Sequence, residues 1–215
     1  MSKQLKIALF GATGMVGSRI AAEAARRGHQ VTALARNPAR VPTDVANLKA
    51  AQADLLDAAS VGAAVRGHDV VASAYAPPQD DLAALDKATH ALVEGVRAAG
   101  LKRLVVVGGA GSLEVAPGKQ LVDSEGFPDA YKPIALAHRK VFDDYRGVTD
   151  LDWTFFAPAA IIAPGERTGK FRTGANTLLA DAEGNSRISA EDYAIAFVDE
   201  LEQGHFIRQI ATVAY

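Results

Sequence analysis

The 215-residue chain contains no cysteine. Disulfides, thiolate nucleophiles and cysteine-based metal sites are therefore excluded. Neither sign of charge dominates: 23 Lys and Arg face 25 Asp and Glu, for a formal net charge of −2. The basic residues are scattered, so nothing directs the chain to nucleic acid. No apolar run reaches the roughly 18 residues of a membrane span, and no cationic segment with an apolar stretch and cleavage site precedes the first strand-like run. The expectation is a soluble, cytoplasmic protein, monomeric or homodimeric, with no membrane or metal partner. Internal repeats and low-complexity segments are also missing. What is present is ample core material, 49% hydrophobic residues, in a length that suits one domain.

Strand-like and helix-like runs alternate. Short apolar or β-branched runs lie at Leu5–Phe10, Gln30–Ala35, Leu48–Gln52, Val70–Ser73, Arg103–Val107 and Trp153–Phe156. Between them Met15–Arg27, Ala58–Val65, Asp81–Ala99 and Ile134–Tyr145 carry helical periodicity. Gly28 and Gly100 stand where helices would end in left-handed caps, and Asp80-Asp81 marks a helix start. Such alternation predicts α/β architecture: a doubly wound parallel sheet covered by helices on both faces. After Pro158 the rhythm changes to a turn-rich loop, short strands at Lys170–Thr173 and Ser186–Ile188, a helix Ser189–Leu201 and a last strand Ile207–Val213. Ser189, with Asp192 three residues on, forms an approximate capping box. Residues 1–215 are read as one Rossmann-type domain, with 158–190 a small substrate-side lobe too poor in apolar residues for its own core.

The most informative stretch is Phe10-Gly11-Ala12-Thr13-Gly14-Met15-Val16-Gly17-Ser18. It follows the first strand and opens the first helix, which is the context that gives a glycine motif meaning. Gly11, Gly14 and Gly17 let the chain turn sharply and admit a pyrophosphate close to the backbone. The first helical turn, Met15 and Val16, offers N–H groups and a partial positive charge, and Thr13 offers a hydroxyl. NAD-selective folds place an acid at the end of the second strand to hold the ribose. Here Leu34-Ala35-Arg36-Asn37 puts Arg36 at that place. Its planar fork suits a 2′-phosphate, with Arg40 nearby, so NADP(H) is preferred over NAD(H). Ala74 and Tyr75, after the fourth strand, should line the same cleft.

The N-terminal motif Gly-Ala-Thr-Gly-x-x-Gly is joined by Ala-Asp-Leu-Leu-Asp at 53–57, Gly-His-Asp-Val-Val at 67–71, Val-Val-Val-Gly-Gly-Ala-Gly-Ser at 105–112 and Ile-Ser-Ala-Glu-Asp-Tyr-Ala at 188–194. Together they make the chain resemble, over essentially its full length, an atypical short-chain dehydrogenase/reductase. The resemblance is to the NmrA-like and biliverdin reductase B-like NAD(P)H-flavin reductase group. It implies a Rossmann fold, a nicotinamide cofactor and a shallow site for a flavin, quinone or tetrapyrrole. It also implies that Asp54 and Leu55 lie along the adenine, Asp54 near the exocyclic amine; the other reading of Asp54 is a helix cap. It places a histidine at His138 as proton donor to the reduced acceptor, the other reading being a buried core histidine. It puts a hydroxyl residue near Ser112, beside the nicotinamide or substrate. The run Gly108-Gly109 would offer backbone N–H groups, and Pro158 would pack near the carboxamide. Phe127, Tyr131 and Phe171 are candidates to stack on a planar acceptor.

One feature of the wider superfamily is missing, the Tyr with a Lys four residues later. Position +4 holds Gln79, Ala135, Thr149 and Phe197 after Tyr75, Tyr131, Tyr145 and Tyr193. Alcohol or ketone chemistry and sugar-nucleotide epimerisation are thereby disfavoured. The reading is an NADPH-dependent reductase passing hydride to a planar acceptor such as FMN or a quinone. The alternatives are an NmrA-like NADP(H) sensor without catalysis and an epimerase/dehydratase-like enzyme.

Overall fold

The computed structural model describes residues 3–42 and 45–215. In chain order the elements are β1 (Lys6–Phe10), α1 (Met15–Arg26), β2 (Gln30–Ala35), β3 (Leu48–Gln52), α2 (Ala58–Val65), β4 (Val70–Ser73), α3 (Ala83–Ala98) and β5 (Arg103–Val107). A hairpin of β6 (Glu114–Ala116) and β7 (Lys119–Gln120) follows, then α4 (Lys132–Arg146), β8 (Asp152–Pro158), β9 (Ile161–Ala163), β10 (Arg172–Ala175), β11 (Arg187–Ser189), α5 (Ala190–Gln203) and β12 (Gln209–Ala214). The main sheet runs β10-β12-β8-β5-β4-β1-β2-β3. Every pairing in it is parallel except β10 against β12. This is the doubly wound order, with its switch point between β1 and β4.

Residue alternation shows why the sheet needs cover on both sides. Along β1, Ile7 and Leu9 enter the core under α1 and α5, while Ala8 and Phe10 enter the one under α2, α3 and α4. All four are buried, so the strand reads as an unbroken apolar run. Phe156, Tyr193 and Phe197 fill the first core; Phe142, Tyr145, Trp153 and Phe155 fill the second.

The expected helices form with small shifts. Gly28 and Gly100 have φ of +86° and +73°, the left-handed geometry anticipated for them. The third helix starts at Ala83, not Asp81, because Asp81 N–H closes a turn onto the Pro78 carbonyl. Ser189 caps α5, its hydroxyl accepting from Asp192 N–H at 3.0 Å. The box does not close, because the Asp192 carboxylate accepts instead from Gly169 N–H (2.9 Å) and the Tyr215 hydroxyl (3.0 Å). Residues 158–190 are joined to the rest at several points. β9 and β11 form a small parallel pair, and β10 extends the main sheet. Gly165 N–H donates to Glu191 (2.7 Å), and Arg167 pairs with the buried Glu23 (3.0 Å). Glu114 N–H donates to the Asn176 carbonyl (2.8 Å), which ties the β6–β7 hairpin to this segment.

Candidate functional site

The carboxyl ends of β1, β2, β3 and β4 open into one cleft of about 560 Å³, lined by residues 10–14, 34–37, 53–56 and 74–76 together with Arg40. The three motif glycines serve it differently. Gly11 has φ +79°, and a Cβ there would lie 2.5 Å from the Ala74 carbonyl oxygen. A Cβ at Gly17 would overlap the Gly11 carbonyl. Both are therefore glycine for the fold: one makes the turn, the other lets helix and strand approach. Gly14 is another matter. Its φ of −80° suits any residue, and a Cβ there would meet only the Gly11 oxygen, at 3.5 Å. The fold does not need that bare backbone; a ligand lying against it does. Gly14 is also the N-cap of α1, and no side chain caps the helix. The first-turn N–H groups at Met15 and Val16 are consequently aimed at the space an anion would take. Thr13 and Met15 are exposed and Val16 packs partly on the core.

At the β2 end stand Arg36 and Arg40, both exposed and both lining the cleft. Among the described residues neither forms an ion pair or a side-chain hydrogen bond. No acid occupies the end of β2. Asn37, missed in the sequence, lines the cleft while its side chain accepts from Ala39 N–H (3.2 Å) to start the turn that carries Arg40. Across from them, Asp54 folds back on itself, Oδ1 accepting from Leu56 N–H at 2.9 Å. The cap of α2 is Asp57, whose Oδ1 accepts from Ala59 N–H (3.0 Å). Asp54 thus faces the cleft without being the helix cap. Tyr75 closes this region: burial pushes its phenol up, an effect the Arg36 charge partly offsets.

The β5 end differs from expectation. Gly108 donates its N–H to the Phe156 carbonyl (2.8 Å), continuing the sheet, and a Cβ on it would overlap the Phe155 ring. A Cβ on Gly109 would lie 2.9 Å from His138 Cβ and Cγ. The glycine run is therefore explained by packing against the protein's own rings, and neither glycine lines the cleft. Ser112 is fully buried in a short turn after β5, its Oγ closed to solvent and without a partner. It presents no group to a substrate, which corrects the catalytic role expected of it. Pro158 ends β8 on the same edge of the sheet, half-buried. Tyr131 is exposed and Phe171 packs on the core under α1.

His138 lies on the inner face of α4, edge-on to Phe155. Burial holds its pKa down to about 4. At neutral pH only about one molecule in a thousand carries the imidazolium. Burial therefore favours the neutral imidazole over the imidazolium at this position.

Comparison with known proteins agrees with this geometry. A family model described as NAD(P)H-binding matches residues 11–203. A solved structure from Burkholderia pseudomallei, provisionally named an exported protein, is 69% identical, covering 99% of this chain and all of its own, with a TM-score of 0.92. One from Bacteroides thetaiotaomicron, provisionally named an epimerase, is 39% identical over 99% of this chain and 98% of its own (TM-score 0.91). SP1627 from Streptococcus pneumoniae TIGR4, provisionally named an NADH-flavin reductase, is 34% identical over 98% and 99% (TM-score 0.88). The match spans the glycine turn and the strands β2, β3 and β4 that line the cleft, and the chain belongs to the NAD(P)H-binding family of atypical short-chain dehydrogenases/reductases.

Proposed function

We propose that this protein is an NADPH-dependent oxidoreductase that passes hydride to a planar acceptor such as FMN or a quinone. The observation that carries the cofactor half is the floor of the cleft. Gly14 leaves room for which the fold has no use, between an uncapped helix N-terminus and two guanidinium groups with no described partner. A pyrophosphate suits the first and a 2′-phosphate the second. A nicotinamide nucleotide, when bound in the cleft, would supply the hydride.

The chain's own part is to hold and orient. Gly11 and Gly14 bring backbone to the phosphates, Arg36 and Arg40 fix the ribose end, Asp54 and Leu55 border the adenine, and Ala74 and Tyr75 wall the middle. Orientation supplies most of the rate when two flat rings exchange hydride. His138, held neutral by burial, does not supply the accompanying proton as an imidazolium. An epimerase reading fits less well. The Tyr-Lys pair is absent, and Tyr145 and Tyr193 are closed into the cores, Tyr193 donating to the Phe156 carbonyl. SP1627 is named for NADH; Arg36 argues for the phosphorylated form in this chain.

A sensor without turnover is the second reading, favoured by the neutral state that burial gives His138. One experiment separates the two: anaerobic oxidation of NADPH and of NADH with FMN and with a quinone, beside calorimetric binding of both nucleotides. NADPH-selective turnover is the expected result. Tight NADPH binding with no turnover on either acceptor would favour the sensor. No binding at all would remove both.

A further inference from the structure

A second, smaller space adjoins the cleft. It measures about 20 Å³ and shares Leu55 and Tyr75 with the cleft as common walls. Most of its lining is apolar, from α3, α4 and β5. Its polar lining is specific: Ser73 at the end of β4, Thr89 of α3, and His138 and Tyr145 of α4. The Thr89 hydroxyl stands beside the Tyr145 phenol and offsets part of the rise that burial imposes on it. Ser73 Oγ receives only a long bond, 3.4 Å, from Tyr75 N–H. His138 Nδ1 is shut from solvent and has no partner.

Buried polar atoms are nearly always matched, and a space of this size holds one water if two to four polar groups face it. A larger ligand does not fit, and an apolar one would leave Nδ1 unmatched. We propose that this cavity is a one-water site, in which the water donates to His138 Nδ1 and is held by the hydroxyls of Ser73 and Thr89. A neutral imidazole carries a single N–H, so a bond received at Nδ1 fixes the proton on Nε2. Nε2 belongs to the edge of a ring that keeps partial exposure. The water therefore turns His138 into a fixed donor in the space beyond the shared wall of Leu55 and Tyr75. Ser73 and Thr89 act through it as positioning residues. The use of that donor on an acceptor rests on the reductase reading; the water site and the tautomer do not.

Nitrogen NMR of ¹⁵N-histidine-labelled full-length protein, with no acceptor added, reads the tautomer directly. The expected pattern is an unprotonated Nδ1 and a protonated Nε2 across neutral pH. Ser73→Ala, Thr89→Val and the cavity-narrowing Ala88→Val should each convert it to a mixture, and Thr89→Ser, which keeps the hydroxyl, should restore it. A crystal structure should show one water within hydrogen-bond distance of Nδ1. If NADPH turnover is found, Thr89→Val should lower kcat between about twofold and tenfold at unchanged KM for NADPH, the size of one hydrogen bond. A protonated Nδ1 in the parent, an unchanged pattern in all three variants, or an empty cavity in the crystal would overturn the proposal. Failure of FMN or quinone reduction alone would count against the reductase reading and leave the NMR result standing.

Discussion

The two glycine runs of this chain look alike as letters and do opposite work. In the turn after β1, Gly14 faces open cleft and has nothing within van der Waals reach but one carbonyl oxygen. In the turn after β5, Gly108 lies against Phe155 and Gly109 against His138. The first run makes space for something brought from outside; the second makes space for the protein's own rings. The charge pattern follows the same division. Arg36 and Arg40 at the open end are exposed, whereas His138 at the packed end is neutral because it is buried. A side chain added to each run is the sharpest way to break this comparison.

Gly14→Val should give the largest effect. The fold has room for the side chain and the backbone tolerates it, so the melting temperature should stay close to that of the parent. Binding of either nicotinamide nucleotide should be lost, because the valine fills the space where a phosphate would meet the helix N-terminus. Calorimetry and thermal melts check both halves. Retained binding would show that the cleft floor is not the site.

Arg36→Ala comes next. A charge-assisted hydrogen bond contributes about 1.5–3 kcal/mol, so NADPH binding should weaken by roughly tenfold to a hundredfold while NADH binding holds. Equal losses for the two nucleotides would assign Arg36 a general electrostatic role and remove the 2′-phosphate. Arg40→Ala should show the same selectivity at smaller amplitude.

Gly108→Ala tests the packed run. The added methyl must displace the buried Phe155 ring, and overpacking of this kind costs about 1–3 kcal/mol. The melt should fall while NADPH affinity stays unchanged. This inverts the Gly14→Val result, and a variant with normal stability and lost binding would return Gly108 to the cofactor site.

The difference between the runs also marks where sequence reading succeeds. Periodicity located β1 to β5 and the long helices, because apolar runs bounded by glycine, such as Leu5–Phe10 before Gly11, have few other solutions. It missed β6, β7 and β9, of two or three residues each, which are too short to show alternation and are set by backbone partners far along the chain. Gly11 and Arg36 were legible because a strand-turn-helix context fixes what those positions face. Gly108 and Ser112 were misread because their meaning depends on Phe155, His138 and a buried turn. Asn37, Ala53 and Ala76 were overlooked, although each follows the end of a strand whose neighbours were named. Position after a strand was a usable signal there.

The smallest expected effect is an absence of change, and it bears most directly on the packed end. An exposed histidine titrates near 6.5, and a reductase using its imidazolium as acid would lose kcat as pH rises through that value. Burial instead places the His138 pKa at about 4, so kcat for NADPH with FMN should run level through pH 6.5. Stability carries the complementary signature. Between pH 6.5 and 4 the unfolded chain binds a proton at this residue and the folded chain does not, so stability falls as the solution is acidified across that window. The contribution is complete above 6.5, and His138→Gln should flatten this part of the melting-temperature profile. Glu23 adds a second slope of the same sign at lower pH: its arginine partners Arg26, Arg167 and Arg27 outweigh desolvation and hold its pKa near 2 against an ordinary 4.5. The two windows meet only near pH 4 to 4.5, so melts at closely spaced pH values can assign each slope. A kcat that instead titrates near 6.5 and becomes level in His138→Gln would mean that the histidine is charged in the working enzyme and that the packed end opens during turnover.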